Sequence, residues 1–572
     1  MGTKHTKKIF ACPALSRRAF WLGATALLAL RCGVAHFQMA YTWVGGAPLD
    51  DELMFRAANA ITSGQWLGGY DYLTLSKSMF FPVWLAFLHG LHLPYLLGGA
   101  LLWCGAALLA AFAFAPLWRK AAQGTGRTAT LLVFAVLAFS PSSWASYTLR
   151  VYRDNIFPAL CLLCFSGFGG ALLRAVFYTR RQAPLWPWLA AAGAGLACGY
   201  LTREDAGLFL LPFAALSTAL LLAVLLRRRR WLCAVAQGIP YAMLAAGVLL
   251  FCGLNARHYG VFALSDFSSG AFADAMGAMT RVATDSTEPL LSVPTDARQK
   301  LYAAVPALQR LQPWLEQDAQ LQNDFRDPAL DDYRAGSFYW AIRRAAQYEG
   351  IYADAATAEN YWAAVAKDIN AACDDGALPT RGGPRSATSQ PIRPEYILPA
   401  LRESVRSLYW VLTFQNCPAY EAQRSIGTPE DFTAWSAYLH GGLNGAAEAG
   451  KDTPYYSPAQ KLVYRLLAAL RLVYAVALPL AFAGAVWRHL RALPGLWRQS
   501  GAAWVLPWAL LLALLGMAAL RCGMIAFVEV SSFGIGTSTM YLATVHPLLL
   551  LYTMAAWLWP GLTGKETRHG AL

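Results

Sequence analysis

The sequence predicts an all-α polytopic membrane protein: about ten transmembrane helices, interfacial helices in the first outer loop, and a mostly helical extracytoplasmic insertion. Three observations predict this class. The chain has 572 residues, of which 57% are hydrophobic and 14% charged, with a mean hydropathy of +0.36; a soluble domain carries about 25% charged residues. The missing charge falls in runs of about 18–25 apolar residues, the length that crosses a hydrocarbon core. Lys and Arg gather at every second boundary of those runs, the positive-inside pattern.

A formal charge of +14 would suit a nucleic-acid binder, but its placement rejects that partner. The basic groups are Lys4, Lys7, Lys8, Arg17 and Arg18; Arg119, Lys120 and Arg127; Arg180 and Arg181; Arg227 to Arg230; Arg488, Arg491 and Arg498; Lys565 and Arg568. Glu566 is the sole acid among them. These loops and both termini are expected in the cytoplasm of a multi-pass inner or plasma membrane protein. The basic N-terminus and its apolar run lack a small-residue cleavage site and read as a retained first span.

In chain order, span 1 is expected over 19–41, running outward. An acidic loop follows. Residues 51–63 read as a short amphipathic helix, with Leu53, Met54, Ala57, Ala60 and Ile61 at helical spacing, stopped by Gly64. The apolar run 79–93 is short for a crossing, and counting it as one would invert every later basic loop. It is therefore expected to lie in the interface. Spans 2 to 7 follow over 94–117, 129–148, 156–177, 185–201, 206–226 and 231–254. Residues 255–460 change character, with 24 acids against 17 Lys and Arg, and are expected as an extracytoplasmic, mostly helical domain. Helices are expected at 333–348 and 355–372, and a Gly/Pro/Ser loop at 380–394. Spans 8 to 10 follow over 462–487, 502–527 and 540–560. Three units result: a membrane module over 1–254, the outer domain over 255–460, and a second membrane module over 461–572.

Most Cys residues lie inside apolar runs and act as small buried hydrophobes. Cys373 and Cys417 are the pair that an oxidising compartment would join, if the fold brings them together.

The candidate chemistry sits on the outer side. Asp50, Asp51 and Glu52 follow span 1. Alone they would read as a solvated turn capping the next helix; at a membrane edge a carboxylate can serve as general base. Asp154 is a second outer acid, in a short loop between Arg153 and Asn155. Glu204 and Asp205 form a third acidic loop and read as structural. Lys77 is a lone cation ahead of the interfacial run, either snorkelling or binding a lipid phosphate. Arg150, Arg153 and Arg203 could share a phosphate, which Arg contacts in bidentate fashion. Arg31 and Arg521 lie within spans 1 and 9, where a charge needs a partner. No Walker A, HExxH, GxSxG or dinucleotide fingerprint occurs, so nucleotide-driven chemistry is unsupported.

These features, taken in order, resemble the GT-C superfamily of integral-membrane glycosyltransferases, in the branch holding protein O-mannosyltransferases and the lipid A aminoarabinose transferase. Leu49-Asp50-Asp51 through Gly64-Gln65-Trp66 is similar to that family's acidic motif and helix. Ser76-Lys77 is similar to its Lys before a second interfacial helix, and Arg153-Asp154-Asn155 to its acid between spans 3 and 4. Gly195 to Arg203 resembles its fifth-span ending, and, more weakly, Tyr541 to Pro547 resembles its Tyr and Pro opening a late span. Asp51 stands where the family has Glu, which leaves Asp50 and Asp51 both open as the base.

The resemblance implies transfer of a sugar, with inversion, from a polyprenyl-phosphate donor to an extracytoplasmic acceptor at the bilayer. Asp50 or Asp51 would take the acceptor's proton, and Asp154 would orient the acceptor or a divalent metal. Lys77, with Arg150, Arg153 and Arg203, would hold the phosphate. Two other readings compete. One is a transporter or lipid flippase with Arg31 and Arg521 on its path; the other is a non-catalytic relative whose outer domain binds an envelope partner.

Overall fold

The computed structural model describes residues 14–44, 48–119, 125–178, 184–266, 269–382, 393–418, 424–444, 457–498, 501–534, 536 and 538–563. Lys4, Lys7, Lys8, Lys120, Arg180, Arg181, Lys565, Glu566, Arg568 and most of the loop expected at 380–394 lie outside them. The chain is an all-α polytopic membrane protein. Its main helices, numbered in order, are α1 Arg17–Phe37, α2 Leu53–Thr62, α3 Phe80–Gly90, α4 Tyr95–Phe114, α5 Gly126–Ala138, α6 Phe157–Phe177, α7 Trp186–Tyr200, α8 Ala206–Arg227, α9 Ile239–Tyr259, α10 Ala271–Met279, α11 Ala335–Tyr348, α12 Ala355–Asp374, α13 Ile397–Thr413, α14 Pro429–Leu439, α15 Pro458–Arg491, α16 Ala502–Val528 and α17 Val545–Leu558.

Among the described residues, seven helices are long and apolar enough to cross a membrane, or eight if a bent pair counts as one. The sequence led to an expectation of about ten crossings. The difference lies in α7 and α17, which have 15 and 14 residues and are shorter than a full crossing. The bent pair is α5 with Pro141–Leu149, which meet at 54°. The bend falls at Pro141, which has no N–H to continue the helical ladder. Arg31 of α1 satisfies a carbonyl there, donating from Nη2 to Ser143 O at 2.6 Å.

The bundle closes around α6, whose apolar stretch is almost wholly buried. Glycines let α6 and α7 approach. A Cβ at Gly167 would lie 2.4 Å from Ala192 N, and one at Gly195 2.4 Å from Cys164 N. Small residues at such crossings permit the close backbone packing that holds membrane helices together.

Residues 255–460 divide into parts. Helices between Ala271 and Asp374 bury a core of their own around Phe272, Ile342, Trp362 and Ile369. The two expected helices appear there as α11 and α12. By contrast, α13 packs on α16, α15 and α17, and its end joins the core between the spans. The helix α14 packs on α3, and Tyr438 donates to Ala58 O of α2 at 2.8 Å. Cys373 lies in the first of these cores and Cys417 in the core between the spans. Both are free, so the pairing considered from sequence does not form.

Candidate active site

The loop after α1 is clamped by backbone pairing to the loop after the bent pair. Tyr41 N–H donates to Leu149 O at 3.1 Å and Val151 N–H to Tyr41 O at 2.9 Å. Tyr95 OH adds a bond to Arg150 O at 2.7 Å. This places Arg150, Tyr152 and Arg153 against the acids of Pro48–Glu52. The amphipathic helix α2 then runs away and ends at Gly64, whose φ of +76° suits glycine.

A second loop delivers Lys77. Leu75 is buried and held at φ +61°, in the left-handed region, which costs about 1–3 kcal/mol for a residue with a Cβ. The Asp266 N–H bond to Leu75 O at 3.0 Å fixes it. Ser78 N–H donates to Glu204 at 2.6 Å and Phe80 N–H to Leu201 O at 2.9 Å. Lys77, in a buried position, thereby meets Asp50 as an ion pair. Its short approach to α3 fits the interfacial reading: α3 has 11 residues, too few to cross.

Asp50 and Asp51 have opposite surroundings. Asp51 is fully buried. It accepts from Arg150 Nε at 2.9 Å, Arg150 Nη2 at 2.5 Å, Trp43 N–H at 2.9 Å and Thr42 Oγ1 at 3.3 Å. Burial pushes its carboxyl up from the ordinary value, against the pull of Arg150. Asp50 keeps 35% of its side chain open and accepts from Tyr152 OH at 2.8 Å as well as from Lys77. Burial would raise its carboxyl, but Lys77 and Arg150 outweigh that and hold it well below the usual carboxylate range.

Tyr152 is the hub. Its hydroxyl donates to Asp50 and accepts from Arg153 Nη2 at 2.8 Å and Lys77 Nζ at 3.3 Å. Arg153 in turn forks onto Glu204, with both oxygens at 2.9 Å. Behind this lies a second set. Arg203 donates to Asp154 and to Asp205, each at 3.1 Å. Arg521 donates to Asp205 at 2.5 Å and to Tyr541 O at 3.2 Å.

Of the residues singled out from sequence, contacts join Asp50, Asp51, Lys77 and Arg150 directly and Arg153 through Tyr152, while Arg203 pairs with Asp154. Asp154 is different. Among the described residues no hydrogen bond joins it to Asp50 or Lys77. It lines a cavity of about 20 Å³ with Arg31, Gln38 and Asn155, room for roughly one water and far too small for a sugar ring. Nor do three His, Cys, Asp or Glu side chains converge as metal ligands among the described residues. Asp50, Asp51 and Asp154 are each engaged by a cation, so the divalent metal considered from sequence does not fit these residues.

Three participants were missed from sequence. Tyr152 immediately precedes Arg153-Asp154-Asn155, but an aromatic between arginines at a membrane edge reads as a belt residue. Glu204 was read as structural. Trp340, on α11 of the insertion, sits with its ring 5.1 Å from Lys77 Nζ; nothing local connects it to a loop so distant in sequence. The helix carrying it is tied at its middle and just before its start. Arg343 donates to Tyr72 O at 2.7 Å, and Arg334 to Phe533 O at 2.5 Å.

No family model and no curated protein matches the chain. Two solved structures are similar to it. One is ArnT from Cupriavidus metallidurans in the apo state, 12% identical, with 94% of this chain and 78% of that chain covered and a TM-score of 0.30. The other is ArnT from the same organism bound to undecaprenyl phosphate, 12% identical, with 95% and 77% covered and a TM-score of 0.29. A likeness this loose assigns neither an activity nor a residue role to this chain. Those rest on the site itself.

Proposed function

We propose that the protein is a membrane glycosyltransferase of the GT-C type, moving a sugar from a polyprenyl-phosphate donor to an extracytoplasmic acceptor. The observation that carries this reading is the pair of Lys77 and Asp50. A partly open carboxylate and a buried ammonium meet at one membrane edge, beside an aromatic ring.

The charges of the two networks balance. Lys77, Arg150, Arg153, Arg203 and Arg521 face Asp50, Asp51, Asp154, Glu204 and Asp205. A phosphodiester entering this neutral cluster adds a negative charge. It competes with Asp50 for Lys77, since Asp50 is the acid with an open edge. Asp50 then loses its strongest cation and becomes more basic. The carboxylate is thus held in reserve until a donor arrives.

The step follows from that exchange. The acceptor's hydroxyl or amine gives its proton to Asp50. The freed lone pair attacks the anomeric carbon from the face opposite the phosphate. The carbon–oxygen bond to phosphate breaks, its electrons pass to the phosphate oxygen, and polyprenyl phosphate leaves. Lys77 stabilises the charge that develops there. Arg150 stays with Asp51 and fixes the loop; Arg153 acts through Tyr152, and Asp154 fixes Arg203.

Direct binding of undecaprenyl phosphate to the purified protein tests this assignment. Lys77→Met should weaken it about tenfold to a hundredfold, the worth of one charge-assisted contact. Unchanged affinity would remove Lys77 from the phosphate site.

A further inference from the structure

Helix α13 packs against the spans α15, α16 and α17. At about 100° per residue, its 17 residues divide into three faces. One, carrying Ser407 and Val411, is buried against the spans α15, α16 and α17. The ends are fastened to the same spans. Tyr396, just before the helix, meets Phe527 with ring centroids 6.2 Å apart, and Phe414, just after it, stacks on His546 at 4.7 Å. A second face carries Ile397, Leu398, Leu401, Val405 and Tyr409, each more than half exposed. The third carries Arg402 and Arg406.

A bare face of five large apolar side chains is unfavourable in water. Its neighbour α15 shows what covers it. That helix is a membrane span, and Leu462, Leu466, Val473 and Val476 are left equally bare on it. A helix with one protein face, one apolar face and one cationic face matches a segment lying at a bilayer surface, with its arginines reaching the headgroups. We propose that α13 is embedded in the leaflet on the side of the candidate site. Its five apolar side chains rest against acyl chains, and Arg402 and Arg406 lie at phosphate level. The insertion is then anchored in the bilayer as well as joined to the spans, which fixes the height of α11 and Trp340 above Lys77. This anchoring does not depend on the transferase reading.

Photo-crosslinking of the full chain in phospholipid nanodiscs tests it. Leu401→p-benzoylphenylalanine and, separately, Val405→p-benzoylphenylalanine should each give, after irradiation, a mass shift of one phospholipid. Asp331→p-benzoylphenylalanine, on the separately folded part of the insertion, should give none. The two α13 positions provide independent readings should one variant fold poorly. Absence of lipid adducts at both, adducts only between two protein chains, or adducts only with added undecaprenyl phosphate would each overturn the proposal.

Discussion

Lys77 and Asp50, 27 residues apart, form an ion pair that joins the two ends of the segment between α1 and α3. Asp50 is the more open partner, so its removal should affect chemistry more than folding. Asp50→Asn is expected to lower sugar transfer by about 10²–10⁴-fold, the usual contribution of a positioned acid or base. Lys77 is left buried beside a neutral amide, so the unfolding temperature should fall as well, and activity is compared per amount of folded protein. Full activity in this variant would exclude Asp50 as the base.

The neighbouring acid should behave in the opposite way. Asp51→Asn leaves Arg150 buried beside a neutral amide, and breaking such a pair costs about 3–5 kcal/mol. Reduced folded yield and a lower unfolding temperature are expected, measured by fluorescence-detected size exclusion on a temperature ramp. A stable but inactive Asp51→Asn protein would instead move the base to Asp51.

Tyr152→Phe probes the hub without removing a charge. The phenol donates to ionised Asp50, so its loss raises the carboxyl pKa. Asp50 acts in its ionised form, and the acid limb of the kcat/KM profile should therefore move to higher pH. That profile reports the free enzyme, the state in which Lys77 still holds Asp50. A limb that stays fixed or moves to lower pH would contradict the arrangement.

Trp340→Ala should show that the insertion takes part in the site. A cation over an aromatic face is worth about 0.5–2 kcal/mol, so kcat/KM for the donor should fall roughly twofold to thirtyfold. Trp340→Phe should recover much of that loss. Equal activity in all three proteins would make α11 a bystander.

The class of fold was legible because apolar run length and the sidedness of Lys and Arg are properties of local sequence. Asp50 and Lys77 could be singled out because both lie in one segment between apolar runs; that they pair with each other was not expected. Tyr152, Glu204 and Trp340 were not legible as partners, because each acquires its role from a chain segment far away. The helix α13 was hidden by its own chemistry. Arg402, Glu403 and Arg406 lower its mean hydropathy, and only the spans packed against its buried face reveal the apolar side as bare. The apolar runs at α7 and α17 were legible, but their helix lengths of 15 and 14 residues were not, because an apolar run does not show where the helix within it begins and ends.

The most direct measurement is turnover with purified protein in nanodiscs, supplied with a panel of radiolabelled polyprenyl-phosphate sugars and an envelope extract as acceptor. One donor should be cleaved, with label appearing in the acceptor, polyprenyl phosphate released in equal amount, and both lost in Asp50→Asn. A well-folded protein that cleaves none of these donors, yet moves lipid or solute across the membrane, would contradict the account.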